Sequence, residues 1–307
     1  MVTEDCSPGS IKWFRKAAVE LVSPSTERAR ERRRIVALCL PFFTLAGIAG
    51  FYPLFEMARI SVSEARFVTR GFALDAYRVL VTDPFLQTAA AVTIVFGLAT
   101  TVASLSIAVP VAHALEKYDL PAEGLLVTLL SFPISLPGIV AAFMIIVLFG
   151  NTGLLTNLAA VLTGANRIDL AVATTVGGLF VAYLYSMIPR SLLLLRGTYA
   201  EVNTAAEEAA RALGATPFRT FYHVTLPGIK PGLIGAFVLT FRTALAIFGT
   251  VLIIRALSPN VWTYEINRAL SNGFRIQLAA AMATLWFVFV LLFTVLSLRY
   301  TSAEVGI

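Results

Sequence analysis

The stretch that decides the fold is PFLQTAAAVTIVFGLATTVASLSIAVPVAHAL, residues 84–115, which contains no acidic side chain, lysine or arginine. About 20 consecutive apolar residues are enough for a helix to cross a hydrocarbon core about 30 Å thick. The stretch therefore predicts a transmembrane helix, which we place at residues 85–111.

The rest of the 307-residue chain has the same bias, with 58% apolar and 14% charged residues. Soluble domains have about 45–50% apolar and about 25% charged residues, so one water-soluble core of this size cannot hide the surplus. The composition argues against a cytosolic enzyme, a disordered protein and a secreted disulfide scaffold. Cys6 and Cys39 give neither a disulfide framework nor metal-ligand spacing.

The charge-free stretches predict an all-α polytopic membrane protein with six transmembrane helices. The predicted spans are residues 35–55, 85–111, 125–149, 170–189, 232–254 and 276–298. Residues 124–166 are too many for one crossing, so we expect a turn at residues 150–153 and a short apolar segment at the far surface. Six spans place both termini on the same side.

Positive charge predicts the orientation. Of the 24 Lys and Arg residues, 15 fall on the side of the termini, eight on the other side, and Arg242 within a span. Because cytoplasmic loops are rich in Lys and Arg, both termini are predicted to lie in the cytoplasm, with the protein in the inner membrane. The net charge of +6 is thus a topology signal, and we expect lipid rather than nucleic acid as the surrounding partner.

The predicted organisation has two parts. Residues 1–34 form a basic cytoplasmic segment, in which residues 11–22 either form an amphipathic helix on the membrane surface or belong to a loosely ordered tail. Residues 35–307 form the transmembrane domain.

The longest cytoplasmic loop, residues 190–231, has a regular pattern of its own. Residues 198–213 are rich in Ala and Glu and favour a helix that Gly214 ends. A second short helix is predicted at residues 217–224, and Leu226-Pro227 and Pro231 are expected to break it before the fifth span. Such a loop is more than a connector needs and suggests a docking element; the alternative is an Ala-rich surface helix with a solvated Glu.

The same loop resembles the EAA loop of binding-protein-dependent ABC importer permeases. Glu208-Ala209-Ala210 is followed after three residues by Gly214, and nine residues later by Val224-Thr225-Leu226-Pro227. Val224 in place of Ile is the only departure from that pattern. A looser resemblance covers residues 85–298, including residues 131–138 and 248–250.

The resemblance implies the type I ABC importer permease fold and a coupling role for this loop. Glu208 would contact a separate ATPase subunit, while small Ala209 and Ala210 allow close approach and Gly214 the bend; Leu226 and Pro227 complete the motif. Implied partners are two ATPase subunits, a second identical or homologous permease, and a periplasmic or surface solute-binding protein, with transport by alternating access. No phosphate-binding loop is found, so ATP and Mg would be used by the partner and this chain would not be an enzyme.

Arg242 is the principal candidate for the transport pathway, since an ionisable side chain inside a span is costly. It would line the route of an anionic or zwitterionic solute, or else form a structural pair at a subunit interface or snorkel. Glu56 would suit a cationic solute or lie solvated at the interface.

Further candidates for the pathway are Tyr183, Tyr185 and Ser135, which also suit ordinary interhelical hydrogen bonds. Pro133, Pro137 and Gly138 either break the third span toward a cavity or only kink it. His113 and His223 have no second ligand at metal spacing and are assigned no role.

The solute is left open among small charged compounds. Residues 248–283 resemble permeases for polyamines, ferric iron, thiamine and aminoethylphosphonate, with polyamine the commonest label, while Arg242 favours anions. The alternatives to an ABC importer permease are an ion-coupled secondary transporter and a non-transport membrane scaffold or channel subunit.

Overall fold

The computed structural model describes residues 27–64, 71–118, 120–257 and 260–305, and its regular elements there are helical. The proposed amphipathic helix at residues 11–22 lies outside these ranges. The α-helices are α1 (Glu27–Ala46), α2 (Tyr52–Ser61), α3 (Asp75–Thr82), α4 (Pro84–Lys117), α5 (Glu123–Ser131), α6 (Gly138–Phe149), α7 (Leu154–Thr163), α8 (Arg167–Leu170), α9 (Val176–Ala200), α10 (Thr204–Ala212), α11 (Pro217–Thr220), α12 (Leu226–Ala246), α13 (Gly249–Ile253), α14 (Trp262–Ser271) and α15 (Ile276–Val305).

Six helical runs in the described residues are long and apolar enough to cross a membrane, which confirms the six-span, all-α prediction. They are Arg30–Ser61, Pro84–Lys117, Gly138–Thr163, Val176–Ala200, Pro217–Ile253 and Ile276–Ser297. The chain divides into two compact units between Arg59 and Ile60, whereas the predicted boundary after residue 34 falls inside α1.

The core of the second unit is formed by α4, α9 and α12, which pack against one another. At one end, small side chains alternate with large ones, so that the helices approach closely. This cluster contains Leu105, Ala108, Ala112, Leu192, Leu195, Tyr199, Ile229 and Ala236. A buried hydrogen bond between the hydroxyl groups of Ser191 and Thr240, 3.0 Å long, joins α9 to α12.

The third and fourth spans differ from the prediction. Residues 125–149 are not one crossing, because the chain leaves helical geometry at Leu136 and Pro137 before α6 begins. Proline lacks the N–H donor that would continue the helix. The turn at residues 150–153 is tight, and the apolar run continues into α7. The fourth span runs to Ala200 with Pro189 inside it, rather than ending there.

The loop after the fourth span also differs in detail. The helix predicted at residues 198–213 is interrupted at residues 201–203, where Asn203 caps α10. Conversely, Leu226-Pro227 and Pro231 do not interrupt the helix before the fifth span. A π-helical turn at Phe221–Thr225 widens the helix, and its Leu226 N–H bonds to the carbonyl of Phe221. This turn accommodates the proline, so α11 continues into α12 without a break.

The fifth span is interrupted deeper in the membrane, at Ile247 and Phe248 between α12 and α13. This interruption packs against the one that precedes α6. The hydroxyl of the buried Thr250 donates to the carbonyl of Gly138 at 3.1 Å, and a Cβ on Gly249 would lie 3.2 Å from the amide nitrogen of Ile139. Hence the two broken helices meet backbone to backbone, and a Cβ on either Gly138 or Gly249 would require its neighbour to shift by a few tenths of an ångström.

Gly232 is a second point of close approach and gives a test of the packing. A Cβ at this position would lie 2.6 Å from the Cβ of Thr198, a distance that no side-chain rotation relieves. We expect Gly232→Ala to lower stability by about 1–3 kcal/mol relative to Gly235→Ala, since such overpacking forces the backbone to move. Gly235 lies on the same helix, and a Cβ added there would have no neighbour within 4 Å, so both variants gain the same helix propensity. Thermal denaturation in detergent measures the difference; equal midpoints would contradict the packing.

Candidate docking and transport site

The loop between α9 and α12 forms two short helices joined by a defined bend. Asn203 and Thr216 cap the starts of α10 and α11 by accepting hydrogen bonds from backbone N–H groups. At the end of α10, Gly214 has φ +87°, and the N–H groups of Gly214 and Ala215 bond to the carbonyls of Arg211 and Ala210. This is a Schellman motif, which requires a left-handed residue at the position of Gly214.

The two helices present an uncovered surface, which we call the docking face. Glu208 and Ala209 are exposed on α10, and Ala210 is half-buried. Three large apolar side chains of the same loop are also exposed: Leu213 at 89%, Phe218 at 76% and Tyr222 at 56%. Apolar groups of this size next to a carboxylate are typical of a surface that a partner covers.

Leu226 and Pro227, the end of the sequence motif, lie at the start of α12. Leu226 is partly buried against the core cluster of α4, α9 and α12, while Pro227 is exposed. They join the docking face to the transmembrane core rather than extending it.

Sequence reasoning missed Glu207, which turns away from the docking face. Its carboxylate lies 2.9 Å from the ammonium of Lys117 and accepts a 2.6 Å hydrogen bond from the hydroxyl of Thr225. Burial alone would raise the pKa of Glu207, but Thr225 and Lys117 outweigh it and hold that pKa below its ordinary value. Glu207 is therefore a buried, ionised carboxylate at neutral pH.

A second ion pair network fixes the neighbouring helix ends. Arg196 of α9 pairs with Glu116 at the end of α4 and, at 2.8 Å, with Glu123 of α5. His113, for which the sequence suggested no role, packs its ring edge against Phe221, with ring centroids 5.1 Å apart. The end of α4 is thus held from several directions.

Arg242 lies on the exposed side of α12. It shares one helical stripe with Gly235, Leu239 and Ala246, and the side chains at 239, 242 and 246 are exposed in the protomer. Within the described ranges, no carboxylate lies within ion-pair distance of its guanidinium. A charged side chain in a span without a counter-ion in its own protomer is expected to contact a partner subunit or water.

The other pathway candidates are not brought together. Tyr183 is 1% exposed and packs edge-on against Phe96 within the protomer core, which favours a packing role over contact with a solute between subunits. Tyr185 is half-buried. Ser135 is exposed, and its hydroxyl donates to the carbonyl of Phe132 at 2.7 Å.

Glu56 has a local partner, since Arg59 lies 3.3 Å away on the next turn of α2. Its charge is therefore matched on its own helix, which weakens the case for a cation site. In the part of the chain that the structure describes, no group of three His, Cys, Asp or Glu residues is placed to hold a metal ion.

Comparison with protein families gives one match that covers most of the core. The family described as binding-protein-dependent transport system inner membrane component matches residues 108–303. This range includes the docking face, the buried Glu207 cluster and Arg242.

Individual relatives are named as sulfate or molybdenum permeases. The sulfate transport system permease protein CysW of Synechococcus elongatus is 31% identical over 172 residues, covering 56% of this chain and 58% of the relative. The sulfate transport system permease protein CysT of Escherichia coli is 29% identical over 192 residues, covering 62% and 66%. A probable molybdenum ABC transporter permease protein of Haloferax volcanii is 26% identical over 238 residues, covering 76% and 82%. The chain thus spans less than two thirds of the length of the two sulfate relatives.

Solved structures support the fold. A bacterial ABC transporter involved in the import of the acidic polysaccharide alginate has a chain that superposes with a TM-score of 0.76 at 15% identity, covering 90% of this chain and 98% of the other. The same TM-score is found, at 16% identity, for the alginate ABC transporter in complex with an alginate pentasaccharide-bound periplasmic protein, covering 92% and 98%. At this identity the likeness concerns the fold alone.

Proposed function

The chain belongs to the family of binding-protein-dependent transport system inner membrane components, and we propose that it is the permease subunit of an ATP-driven importer for a tetrahedral oxyanion of the sulfate type. Its partners would be two ATPase subunits, a second permease subunit and a solute-binding protein. The family favours this role over an ion-coupled transporter or a scaffold.

The docking face supports the ATPase partner. Its exposed Glu208 offers a charged contact, and Leu213, Phe218 and Tyr222 offer apolar area for a groove in a second protein. Central aromatic anchors beside one charge are the usual composition of a binding hot spot. ATP and Mg would be bound and used by that partner.

The observation that carries the substrate class is the uncovered Arg242. A guanidinium offers paired donors that match the oxygens of an oxyanion, and the contact is strong where water is excluded. The same charge would repel a polyamine, and the polyamine, ferric iron and thiamine expectations find no support among the relatives described above. Sulfate and molybdenum permeases among these relatives agree with an anion.

The discontinuous helices support alternating access. The interruptions before α6 and α13 meet at Gly138 and Thr250. On the fifth span the interruption begins at Ile247, five residues after Arg242. Non-helical backbone at membrane depth is tolerated where it lines a cavity or is buried in protein. Movement of the docking face toward its counterpart in the second permease would rock the attached helices between two openings.

The proposed orientation places the docking face in the cytoplasm, because the ATPase must reach it. Lys117, Arg196 and Glu207 lie together, so the ends of α4 and α9 are on that same side. With six spans, both termini follow into the cytoplasm, residues 1–34 as a basic segment and residues 35–307 as the membrane domain.

Uptake of labelled sulfate tests the proposal. The permease is expressed with its ATPase, its partner permease and its binding protein in cells that lack sulfate uptake. We expect ATP-dependent accumulation that excess molybdate reduces and excess putrescine leaves unchanged, because Arg242 selects for anions. Uptake that putrescine inhibits, or that an uncoupler abolishes while ATP is maintained, would contradict the substrate class or the energy source respectively.

A further inference from the structure

A buried polar cluster of Lys117, Glu207 and Thr225 joins α10, the first docking helix, to the membrane helices. The side chains of Lys117 and Glu207 are only 8% and 6% exposed. An open apolar groove of about 820 Å³ lies nearby and is lined by α4, α12 and two aromatic side chains of the loop. The two aromatic side chains are Phe218 and Phe221. Since α11 continues into α12 and Phe221 packs against His113, Glu207 is the polar anchor of α10 rather than of the whole loop.

Three structural elements meet at this one carboxylate. Glu207 belongs to α10, the first docking helix. One oxygen pairs with Lys117, the last residue of α4, and the other accepts from Thr225, the last residue of the π-helical turn that joins α11 to α12. Both docking helices and two spans are thus connected through a single side chain.

The connection continues into the rest of the bundle. Glu116, next to Lys117, pairs with Arg196 of α9, and Arg196 also pairs with Glu123 of α5. A displacement that reaches the end of α4 is therefore passed to α9 and α5 by charged contacts rather than absorbed by a flexible end.

Burying this pair is not explained by stability alone. Taking two charges out of water offsets most of their attraction, and well-packed apolar side chains often serve as well. Removing one partner, however, leaves an uncompensated buried charge. Such a pair is suited to holding two elements in one register.

We propose that Glu207 is a positioning residue for coupling, which transmits displacement of the docking face through Lys117 to α4 and through Thr225 to α12. The inference rests on the proposed function, since the displacement is produced by an ATPase seated on the face that carries Glu208. Glu208 would make the external contact, whereas Glu207 would convert it into movement of the spans.

The test compares neutral variants of two neighbouring glutamates in the complete complex. In Glu207→Gln and Lys117→Met, we expect the ATPase to co-purify and hydrolyse ATP, while sulfate uptake per ATP hydrolysed falls at least about tenfold, because one buried charge loses its partner. Thr225→Val, which keeps the side-chain shape, should lower the same ratio by a smaller factor. Glu208→Gln is the matched control and should instead reduce co-purification of the ATPase.

A charge-reversal double variant distinguishes a positioning role of Glu207 from general damage to the fold. The double variant Lys117→Glu with Glu207→Lys restores the pair in reverse, and we expect it to recover part of the uptake that each single reversal loses. An unchanged ratio of uptake to hydrolysis in Glu207→Gln, Lys117→Met and Thr225→Val would overturn the inference. If Glu207→Gln or Lys117→Met does not accumulate in membranes, the inference is tested by the ratio of uptake to hydrolysis in Thr225→Val and in the double reversal. Failure of the proposed function looks different: the wild-type complex takes up no sulfate, and Glu208→Gln co-purifies the ATPase normally.

Discussion

Glu208→Lys is expected to abolish ATP-driven uptake while the protein still inserts into the membrane in normal amounts. Glu208 is exposed on α10, so its replacement disturbs no contact that the bundle needs. Breaking a charged pair across an interface costs about 2–5 kcal/mol, or about 30-fold or more in affinity for the ATPase, and a reversed charge adds repulsion. Uptake, ATPase co-purification and the amount of permease in membranes are measured together.

Gly214→Asp is the second variant of this experiment and should have the same outcome. It places a side chain at φ +87° and a new charge beside Leu213 on the docking face. The control is Glu201→Lys, which makes the same reversal at an exposed carboxylate between α9 and α10, outside the motif. Wild-type uptake in Glu208→Lys, or equal loss in Glu201→Lys, would exclude a specific docking role for Glu208.

Arg242→Gln is expected to raise the sulfate concentration needed for half-maximal uptake by about 10- to 100-fold, because a charge-assisted hydrogen bond contributes about 1.5–3 kcal/mol. Arg242→Glu should abolish uptake by repelling the anion. Both variants leave the docking face unchanged, so the ATPase should co-purify as with the wild type. Concentration dependence of uptake in cells with matched expression is the measurement.

Arg242→Lys is the matched control because it keeps the charge and loses the paired donors of the guanidinium. It should fall between the wild type and Arg242→Gln. A purely structural role at the interface with the second permease predicts another pattern: loss of the permease pair in size-exclusion chromatography, with an unchanged half-maximal concentration for the remaining transport. That pattern would contradict the pathway assignment.

Composition and motif spacing were sufficient to predict the number of spans and the two-helix loop. Span number depends on apolar length, which is a local property, and Gly214 ends its helix through its own backbone conformation. The exact residues at which the helices begin and end were harder to predict. Proline at residues 226–231 suggested a break, yet the π-helical turn at Phe221–Thr225 absorbs it, and such a turn leaves no plain mark in the sequence.

Residue type alone does not distinguish Glu207 from Glu208. The packing of α10 against the membrane helices shows which of the two is buried. One signal was available, since consecutive residues on a helix point about 100° apart and cannot share a narrow face. The partner Lys117 lies far away in sequence, so the pair itself required the tertiary structure. For Tyr183, a hydroxyl group within a span suggested a place on the transport pathway, but the side chain is buried in the core of the protomer.

The uninterrupted helical run from Pro217 to Ala246 has a mechanical consequence. At 1.5 Å per residue, Arg242 lies about 37 Å along this rod from Pro217 on the docking face. A tilt of about 10° about the docking end swings Arg242 sideways by about 6 Å, close to the one-turn steps by which other proteins switch state. A hinge at Pro227 would have dissipated that rotation at the membrane surface. A continuous helix of this length would instead convert a small tilt at its docking end into a larger sideways displacement at Arg242.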